Sequence, residues 1–491
     1  MRNIAENHTG MADALAVALD EHAAAGRTAF VSGGTEISYA RLRDEVLAGL
    51  GALTDAGLRP GAVVGMLTGK SPRSLASFLS LMLAGACPGF LDPRLPDDKI
   101  IDQARAVGMA AVVADEDRAA SLSGRGLPTL DPAAGSPAER PVLGPRDPAL
   151  MLFTSGSTGR PKGVLLSHRN LLVNAAGVVA QTRLTTSDRL LHIMPVHHTN
   201  GLNNQVLAPL LAGATVFLMD RFKPADAVDA VRVHQPTYVT GVPTMYLRML
   251  EHIADGESFP SLRFVRCGSA PITAHQQAAI ERRFGVPVVL SYGMSEATCT
   301  STMNPVEEPR LGSVGTALAG QRIRIAVPGS TRAMDVGEEG EILIGGEAVM
   351  SGYVGTDAAD PVEDGWLHTG DLGRLDADGY LTITGRLKDT IIRGGENIVP
   401  SDIEQVLVTH PAVLDCCVVG RPHPDLGEVP VAFVSTTGEG EVPADDLRSW
   451  IAERLSRMYV PAEVRVLDQL PVNGLGKIDR TSLRSLARAG T

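Results

Sequence analysis

The chain has 491 residues, of which 44% are hydrophobic and 20% are charged, a composition typical of a globular protein long enough for several subdomains. Its net charge is −12 at pH 7, and its lysines and arginines are dispersed, which argues against a nucleic-acid partner. The five cysteines show neither metal-ligand spacing nor a disulfide framework, so we expect a reducing, cytoplasmic setting. Neither a secretion signal nor a membrane-inserted segment is expected, since glycines and a proline interrupt the uncharged stretch 74–91.

Short apolar runs alternate with helical patterns up to about residue 300. Strands are predicted at 62–66, 87–91, 110–113, 215–219 and 238–242, and a helix at 74–84. Because strands separated by helices form parallel sheets, the pattern predicts an α/β fold.

The pattern changes after about residue 312. Short strands separated by glycines are predicted at 322–326, 340–344 and 380–384, and they indicate a small β-barrel-like subdomain. From residue 387 onward, strands at 390–392, 416–419 and 429–435 and helices at 400–409 and 444–457 predict a compact α+β domain. We therefore predict an N-terminal domain, 1–386, of two α/β sheet subdomains plus the β-rich one, and a small mobile C-terminal domain, 387–491.

The segment 154–163 reads Thr-Ser-Gly-Ser-Thr-Gly-Arg-Pro-Lys-Gly and follows an apolar run. Glycines let backbone N–H groups approach anionic oxygens, hydroxyls donate further hydrogen bonds, and Lys162 adds positive charge, so the segment predicts a polyphosphate site. Arg160 and Pro161 separate the last glycine from the lysine, which differs from the common nucleotide loop and argues against a kinase-like or GTPase-like protein. The alternative of a flexible Gly/Ser linker is disfavoured by the apolar runs on both sides.

Four further segments carry polar groups suited to a nucleotide. They are Ser-Tyr-Gly-Met-Ser-Glu at 291–296, Gly-Trp-Leu-His-Thr-Gly-Asp at 365–371, Gly-Arg-Leu-Lys-Asp at 385–389 and Asn-Gly-Leu-Gly-Lys at 473–477. In order and approximate spacing, the five segments resemble the motifs of the acyl-activating adenylate-forming superfamily, which includes acyl-CoA and aryl-CoA synthetases, peptide-synthetase adenylation domains and luciferases. The resemblance covers nearly the whole chain.

This resemblance implies a role in nucleotide binding for each matching residue. Phosphate binding is implied for Thr154, Ser155, Gly156, Ser157, Thr158, Gly159 and Lys162, and further nucleotide contacts for Gly268, Ser269, Ala270, Ser291, Tyr292, Gly293 and Ser295. Tyr292 would stack on adenine, and Ser295 would contact the α-phosphate. Asp371 and Arg386 would bind the ribose hydroxyls, since an ionised carboxylate can accept from two neighbouring hydroxyls.

The resemblance also implies the catalytic groups and the cofactors, which are ATP, Mg²⁺ and CoA or a carrier-protein phosphopantetheine. Glu296 would hold Mg²⁺, and Lys477 would bridge the substrate carboxylate and the α-phosphate. Lys388 matches the hinge about which the C-terminal domain turns between two half-reactions. The loop Gly394, Gly395, Glu396 matches the segment that meets the pantetheine thiol.

A pair of histidines lies in the segment that resembles the acyl-pocket gate of the superfamily. His198 is a candidate catalytic residue there, although His197 stands where many members carry an aromatic ring. A metal site of His192, His197 and His198 is the competing interpretation, disfavoured because no cysteine or acidic residue lies nearby in sequence.

The predicted acid pocket disfavours an α-amino acid, because 196–204 lacks the aspartate that amino-acid-activating members place there. Its walls are predicted at 197–205, 241–245, 266–270, 291–294 and 298–302. Their small, hydroxyl and amide groups indicate a small or medium acid with some polar character. Arg266 either pairs with a second carboxylate or is structural.

The final acceptor is predicted to be CoA, since no pantetheine carrier domain is recognisable in the sequence. A separate carrier protein or another nucleophile is the alternative. A non-catalytic nucleotide-binding protein on the same fold is a third hypothesis, and the presence of Glu296, Asp371, Arg386 and Lys477 argues against it.

Overall fold

A computed structural model describes residues 4–132, 135–155, 161–356, 359–436, 442–472 and 478–489. Its strands form four sheets, two of them mixed and covered by helices, one antiparallel, and one in the C-terminal region. This arrangement confirms the predicted fold class, including the two α/β subdomains, the β-rich subdomain and the small α+β domain. In the part of the chain that the structure describes, no helix has both the length and the apolar character needed to cross a bilayer.

The first mixed sheet has six strands, and its helix Pro72–Leu83 shows how the sequence specifies the local structure. The side chain of Ser71 accepts a hydrogen bond from the N–H of Ser74, and Pro72 fixes the first turn. Residues 74–83 of the helix are all buried, so it lies inside the core. In spatial order the strands are Gly352–Val354, Pro161–Ser167, Pro148–Ser155, Cys87–Phe90, Val63–Leu67 and Ala111–Ala114; the shorter helices nearby are Asp97–Ala106 and Glu116–Gly124.

The second mixed sheet has nine strands and separates two hydrophobic cores. Because side chains alternate across a strand, Val239 and Val265 pack under the helices on one face, whereas Phe264 and Val289 enter a core shared with the six-stranded sheet. In spatial order the strands are Thr316–Ala317, Thr302–Met303, Val288–Tyr292, Phe264–Gly268, Tyr238–Gly241, Arg189–His192, Thr215–Leu218, Thr28–Ser32 and Thr35–Ser38. The helices of this region are Ile4–Asn7, Met11–Ala24, Tyr39–Asp55, His168–Thr182, Ala208–Ala212, Pro224–His234, Pro243–Leu250 and Ala274–Phe284.

A π-helix, Asn200–Leu207, lies in the shared core, and all eight of its residues are buried. Its start requires a glycine, because a Cβ atom on Gly201 would lie 1.9 Å from the carbonyl oxygen of Pro195. π-helices are rare and frequently mark functional sites. This one brings four amide side chains into the core, those of Asn200, Asn203, Asn204 and Gln205, of which the last three are consecutive in sequence.

The β-rich subdomain consists of antiparallel strands, as the glycine-punctuated pattern predicts. They are Gln321–Ala326, Gly340–Gly346, Val362–Glu363, Trp366–Leu375 and Leu381–Arg386. Register places Asp371 directly opposite Arg386, so two of the predicted nucleotide-binding residues are neighbours because of strand pairing alone.

The C-terminal region follows a single 3₁₀ turn, Leu387–Asp389. Its strands are Ile391–Arg393, Glu396–Ile398, Val413–His423, Gly427–Thr436 and Glu463–Val466, its α-helices are Pro400–Leu407, Ala444–Ala452 and Arg480–Arg488, and a 3₁₀ turn spans Arg457–Tyr459. The hydroxyl of Ser401 donates to the carbonyl of Thr384 in the β-rich subdomain. The domain boundary at 386/387 stays a prediction.

Asn174 connects three elements around the π-helix and is fully buried. Its amide nitrogen donates to the carbonyl oxygen of Thr300 over 2.7 Å, and its amide oxygen accepts from Asn203 over 2.8 Å. We expect Asn174→Ala to lower the free energy of unfolding by about 1–3 kcal/mol for each polar group left without a partner. Denaturant unfolding measures this loss. Alanine is the better helix former, which offsets at most about 0.7 kcal/mol of this loss, so an unchanged or higher stability would contradict a contribution of this size from the hydrogen bonds.

Candidate active site

The carboxylate of Asp371 connects three of the five sequence segments. It is 5% exposed, and Arg386 places its Nε atom 2.7 Å from Oδ1. The hydroxyl of Tyr292, at the end of the strand Val288–Tyr292, donates to Oδ2 over 2.8 Å. Burial, reinforced by the charge of Asp371, raises the pKa of Tyr292 well above its usual value, so the hydroxyl remains a donor. An aromatic ring, a carboxylate and a guanidinium from distant segments therefore meet at one place.

The chain after Tyr292 makes a tight and strained turn. A Cβ atom on Gly293 would lie 1.9 Å from the carbonyl oxygen of Cys299, so only glycine fits there. Ser295 begins a short 3₁₀ turn, Ser295–Ala297. Thr298 has a φ of +69°, which is unusual for a β-branched residue, and its hydroxyl holds the carbonyl of Ala348 over 2.6 Å. Such strain concentrates at functional sites, and here it lies two residues after Glu296.

Glu296 lies in a second cluster that includes the lysine of the predicted phosphate loop. The hydroxyl of Tyr353 donates to Oε1 of Glu296 over 3.0 Å, and Nζ of Lys162 lies 4.5 Å from the centre of the Tyr353 ring. Strand pairing explains the arrangement, because Tyr353 lies opposite Val164. Burial, followed by the charge of Glu296, raises the pKa of Tyr353. The sequence did not predict a role for Tyr353. The main feature that could have indicated one is that Tyr353 is a single aromatic residue directly after Ser-Gly.

The surroundings of Glu296 suit a carboxylate that would bind magnesium together with a bound polyphosphate. Among the described residues, no group of three or more histidine, cysteine or acidic side chains is arranged to hold a metal by itself. Magnesium in nucleotide sites is commonly held by one or two carboxylates and by phosphate oxygens. A single carboxylate, fixed by Tyr353 and near Lys162, meets that requirement.

Several of the predicted residues lie outside the described ranges. These are Gly156, Ser157, Thr158 and Gly159 of the phosphate loop and Lys477 near the C-terminus. For Thr154 and Ser155 the backbone is described, and it ends a strand that pairs with Pro161–Ser167. The roles of these residues stay predictions.

Among the described residues, the three histidines considered as a metal site do not form a group that could hold a metal. Nε2 of His192 donates to the carbonyl of Gly201 over 2.8 Å, and Nζ of Lys70 lies 3.3 Å from Nδ1. Burial, and then the charge of Lys70, lower the pKa of His192 to about 3, so this neutral ring holds the start of the π-helix. The rings of His197 and His198 pack against each other, with centroids 4.4 Å apart, just before that helix. His198 thus lies at the predicted gate, and its catalytic role stays a prediction.

The remaining predicted nucleotide contacts lie at the ends of two neighbouring strands. Gly268 ends Phe264–Gly268 and pairs with Ser291; Ser269 and Ala270 follow it. Ser269 has a φ of +66°, and its hydroxyl is 3.4 Å from the amide nitrogen of Asn200. The hydroxyl of Ser291 lies 3.3 Å from the guanidinium of Arg266, on the face of the sheet opposite to the Tyr292 ring.

The predicted thiol-acceptor loop is the turn of a hairpin. Gly394 and Gly395 have φ values of +61° and +89° between the paired residues Arg393 and Glu396, which is the two-residue turn that suits the twist of a hairpin. The exposed Lys388 lies in the 3₁₀ turn between the two domains. The hinge role of Lys388 and the acceptor-binding role of Gly394, Gly395 and Glu396 stay predictions.

Comparison with known proteins places this site in a family. The AMP-binding enzyme family model matches residues 19–354, and the AMP-binding enzyme C-terminal domain model matches residues 402–477. The chain belongs to the AMP-binding enzyme family. Feruloyl-CoA synthase of Amycolatopsis sp is 37% identical to this family member over 471 residues, which cover 93% of this chain and 95% of that protein.

Two further proteins extend the comparison of this AMP-binding enzyme. Sulfoacetate–CoA ligase of Cupriavidus necator is 38% identical over 364 residues, which cover 73% of this chain and 70% of that protein. The structure of ATP-bound MatB from Rhodopseudomonas palustris superimposes with a TM-score of 0.90 at 30% identity, over 97% of this chain and 98% of that one. The predicted resemblance is confirmed, and so is the predicted enzyme class, an AMP-forming acid–CoA ligase that activates a carboxylic acid with ATP.

Replacing Asp371 by asparagine tests the first cluster. We expect Asp371→Asn to lower kcat/KM for ATP by roughly 10- to 150-fold, because charge-assisted hydrogen bonds are worth about 1.5–3 kcal/mol. Steady-state pyrophosphate release at varied ATP measures the effect. The matched control is Asp378→Asn, which removes an exposed carboxylate of the same subdomain paired with Arg310. Equal effects of the two changes would contradict a nucleotide role for Asp371.

Proposed function

We propose that this enzyme converts a small or medium carboxylic acid, other than an α-amino acid, to its adenylate and then to its CoA thioester, using Mg²⁺ and the residues of the two clusters. The observation that carries the proposal is the meeting of Tyr292, Asp371 and Arg386, since these three come from segments that the superfamily uses for one nucleotide. Further support comes from Glu296 and Lys162, which share contacts with Tyr353.

At the nucleotide end of the proposed site, the two clusters have different roles. The ring of Tyr292 offers a face to adenine, and the ionised Asp371 accepts from the ribose hydroxyls beside Arg386. Lys162 contributes positive charge to the leaving phosphates. Glu296 would hold the magnesium ion, which supplies charge neutralisation on the phosphate oxygens when bound.

The chemistry requires two anions to approach each other. The substrate carboxylate attacks the α-phosphorus, an oxygen–phosphorus bond forms, and the bond to pyrophosphate breaks. Positive charge must therefore be fixed where negative charge develops on phosphorus. We assign this role to Lys477, which would bridge the carboxylate and the α-phosphate as they react, while the rest of the protein contributes mainly positioning.

Transfer to CoA is proposed to follow a rotation about Lys388. Arg386 is held by Asp371 of the N-terminal domain, whereas Asp389 pairs with Arg484 of the last helix. Each side of Lys388 is thus anchored to a different domain within three residues. A short segment between two anchors is the expected construction of a hinge, and rotation there would exchange Lys477 for the hairpin turn at Gly394 and Gly395.

The acid itself is constrained by the polar groups of the π-helix. The pocket walls predicted at 197–205 carry the buried Asn200, Asn204 and Gln205 and no acidic residue, which disfavours an ammonium group on the substrate. Relatives named for feruloyl-CoA and sulfoacetate support acids with an oxygen-rich group besides the reacting carboxylate. We also infer a cytoplasmic location, which the five free cysteines support.

Exchange of labelled pyrophosphate into ATP tests the first half-reaction. With a substrate acid present, we expect exchange in the wild type and its loss in Lys477→Ala, with ATP affinity largely retained, because the lysine is needed where charge develops and the clusters bind the nucleotide. Isothermal titration gives the affinity. Exchange that survives Lys477→Ala would remove this lysine from its proposed role.

A proline at the hinge tests the second half-reaction. Proline fixes φ near −65° and removes a backbone donor, so Lys388→Pro should impair thioester formation more than adenylate formation. Single-turnover measurements of adenylate and acyl-CoA separate the steps. Lys388→Ala removes the side chain but leaves the backbone free, and it should preserve both. Equal losses in both steps for Lys388→Pro would contradict the hinge.

A further inference from the structure

Arg266 is a buried cation whose surroundings are neutral. It is 3% exposed, and its Nη2 atom lies 2.5 Å from the hydroxyl of Thr300 and 3.3 Å from that of Ser291. With the Asn204 amide oriented by its neighbours, its oxygen lies 3.0 Å from both Nη1 and Nη2. Hydroxyls and an amide therefore satisfy part of the guanidinium, and none of these groups carries a negative charge.

No carboxylate compensates the charge of Arg266 among the described residues. Burial lowers the pKa of Arg266, and the groups that oppose this shift are the thiols and phenols of Cys299, Tyr238, Tyr246 and Cys267. An isolated charge is among the most costly groups to bury, and buried charges are normally paired. The charge of Arg266 is thus available to a group that enters from outside the protein.

The neighbouring Arg263 shows how the same fold treats a structural arginine. Its Nη1 atom lies 2.6 Å from Oδ1 of Asp188, a buried carboxylate, and its Nη2 atom donates to the carbonyl of Thr182 over 3.0 Å. Three residues apart on one stretch of chain, one guanidinium has an acidic partner and the other has none among the described residues. The structural interpretation of Arg266 explains its hydrogen bonds but leaves its charge unbalanced.

Arg266 and two other buried residues of the predicted pocket walls have polar atoms without partners. Among the described residues, the Nε atom of Arg266 and both amide atoms of the fully buried Gln205 have no hydrogen-bond partner, and neither has the hydroxyl of Ser301. Water molecules can satisfy neutral donors and acceptors, but they do not neutralise a guanidinium. An anionic group with several acceptor oxygens would accept from the unpartnered donors and would also neutralise the guanidinium.

Arg266 also lies where four predicted walls of the acid pocket meet. Asn204 belongs to 197–205, Ser291 to 291–294 and Thr300 to 298–302, and all three contact the guanidinium. Ser291 directly precedes Tyr292, and Thr300 follows Glu296 by four residues, so the guanidinium contacts the same two chain segments that supply residues of the nucleotide clusters. An acyl group that extends from the reacting carboxylate into the shared core would end here.

We propose that Arg266 binds a second anionic group of the substrate, so that the enzyme activates acids with a carboxylate or sulfonate at the end remote from the reacting carboxylate. This inference rests on the proposed function and specifies its substrate class. Thr300, Ser291 and Asn204 orient the guanidinium, and its unpartnered Nε atom is a further donor for the anion. The anion restores the charge balance that the fold leaves open, which makes binding selective against neutral chain ends.

A panel of acids matched in chain length tests the proposal on the whole enzyme. Each chain length is presented with a methyl, hydroxyl, phenol, carboxylate or sulfonate end, and pyrophosphate release is measured with ATP, Mg²⁺ and CoA. Acids with an anionic end should exceed their methyl-ended counterparts by roughly 100-fold or more in kcat/KM, since a site built for a polar group rejects analogues that lack it. Comparing kcat/KM for the carboxylate-ended and sulfonate-ended acids shows which anion the site binds better. Equal or better turnover of acids with methyl, hydroxyl or phenol ends overturns the proposal and leaves the proposed function intact.

Variants of the two arginines separate charge recognition from folding. Arg266→Met should lower kcat/KM for anionic-ended acids by roughly 100-fold and leave methyl-ended acids unchanged or improved, whereas Arg263→Met should keep the wild-type ratio between the two classes even if it lowers stability. A parallel loss for both classes in Arg266→Met assigns Arg266 a structural role and overturns the proposal. If Arg266→Met does not fold, Arg266→Lys and the wild-type panel still decide, because the lysine retains the charge without the two-pronged geometry.

Thermal unfolding with each acid alone distinguishes failure of this inference from failure of the proposed function. Anionic-ended acids should raise the Tm of the wild type and not that of Arg266→Met, because a ligand stabilises the state that binds it. This shift without pyrophosphate release from any acid supports the anion site and contradicts the adenylation proposal. Pyrophosphate release from acids with neutral ends, with no Tm shift from acids with anionic ends, supports the adenylation proposal and overturns the anion site.

Discussion

The hydrogen-bonded carboxylate of Asp371 holds together parts of the molecule that fold around different cores. Tyr292 ends a strand of the nine-stranded sheet, Asp371 lies in the antiparallel β-rich sheet, and Arg386 is the last residue before the inter-domain turn. Removing one partner would leave a buried charge or hydroxyl unsatisfied. The nucleotide end of the site is therefore complete only when these units are docked against each other.

This dependence extends to the C-terminal domain. Near this turn, the C-terminal region contacts the β-rich subdomain through the Ser401 hydroxyl, which donates to the Thr384 carbonyl, and through Val399, which packs against Gly385; a Cβ atom on Gly385 would lie 2.4 Å from the valine side chain. Small and partly polar interfaces permit relative domain motion. The strand that carries Arg386, a proposed nucleotide contact, thus also carries residues that the C-terminal domain contacts, so the proposed nucleotide site and the domain contact share one element.

The sequence predicted elements where local pattern and tertiary packing agree. Short apolar runs became the parallel strands within one or two residues, because burial on both faces demands continuous apolar sequence. The helix predicted at 444–457 ends earlier, at Ala452. The rest of the predicted range is not α-helical: Ser456 is extended and a 3₁₀ turn follows it. The π-helix has no sequence pattern of its own, and its amides resemble those of an exposed segment.

Within the site, motif residues could be predicted and their partners could not. Asp371 and Arg386 lie in recognisable segments, whereas Tyr353 reaches Glu296 only through the pairing of strands far apart in sequence. Asn174 likewise contacts Thr300 across 126 residues. Contacts of this kind depend on register and on side-chain reach, which a single sequence does not specify. For Arg266 the sequence left two roles open, because whether an arginine has an acidic partner is a property of the folded core.

The two ends of the site differ in how charge is balanced, and the difference follows from what each end must do. At the nucleotide end, protein groups already hold one another: Asp371 has Arg386 and Tyr292, and Glu296 has Tyr353. Such preorganised groups suit the proposed nucleotide, a ligand that is the same in every turnover. At the far end, Arg266 is oriented by neutral groups and its charge has no protein counterpart among the described residues. A protein carboxylate placed there would stabilise the fold but would compete with the substrate for the guanidinium. Leaving the charge of Arg266 unbalanced lowers the stability of the fold. It also makes an anion the group that the proposed acid pocket binds best, so the buried charge would let the enzyme select among acids.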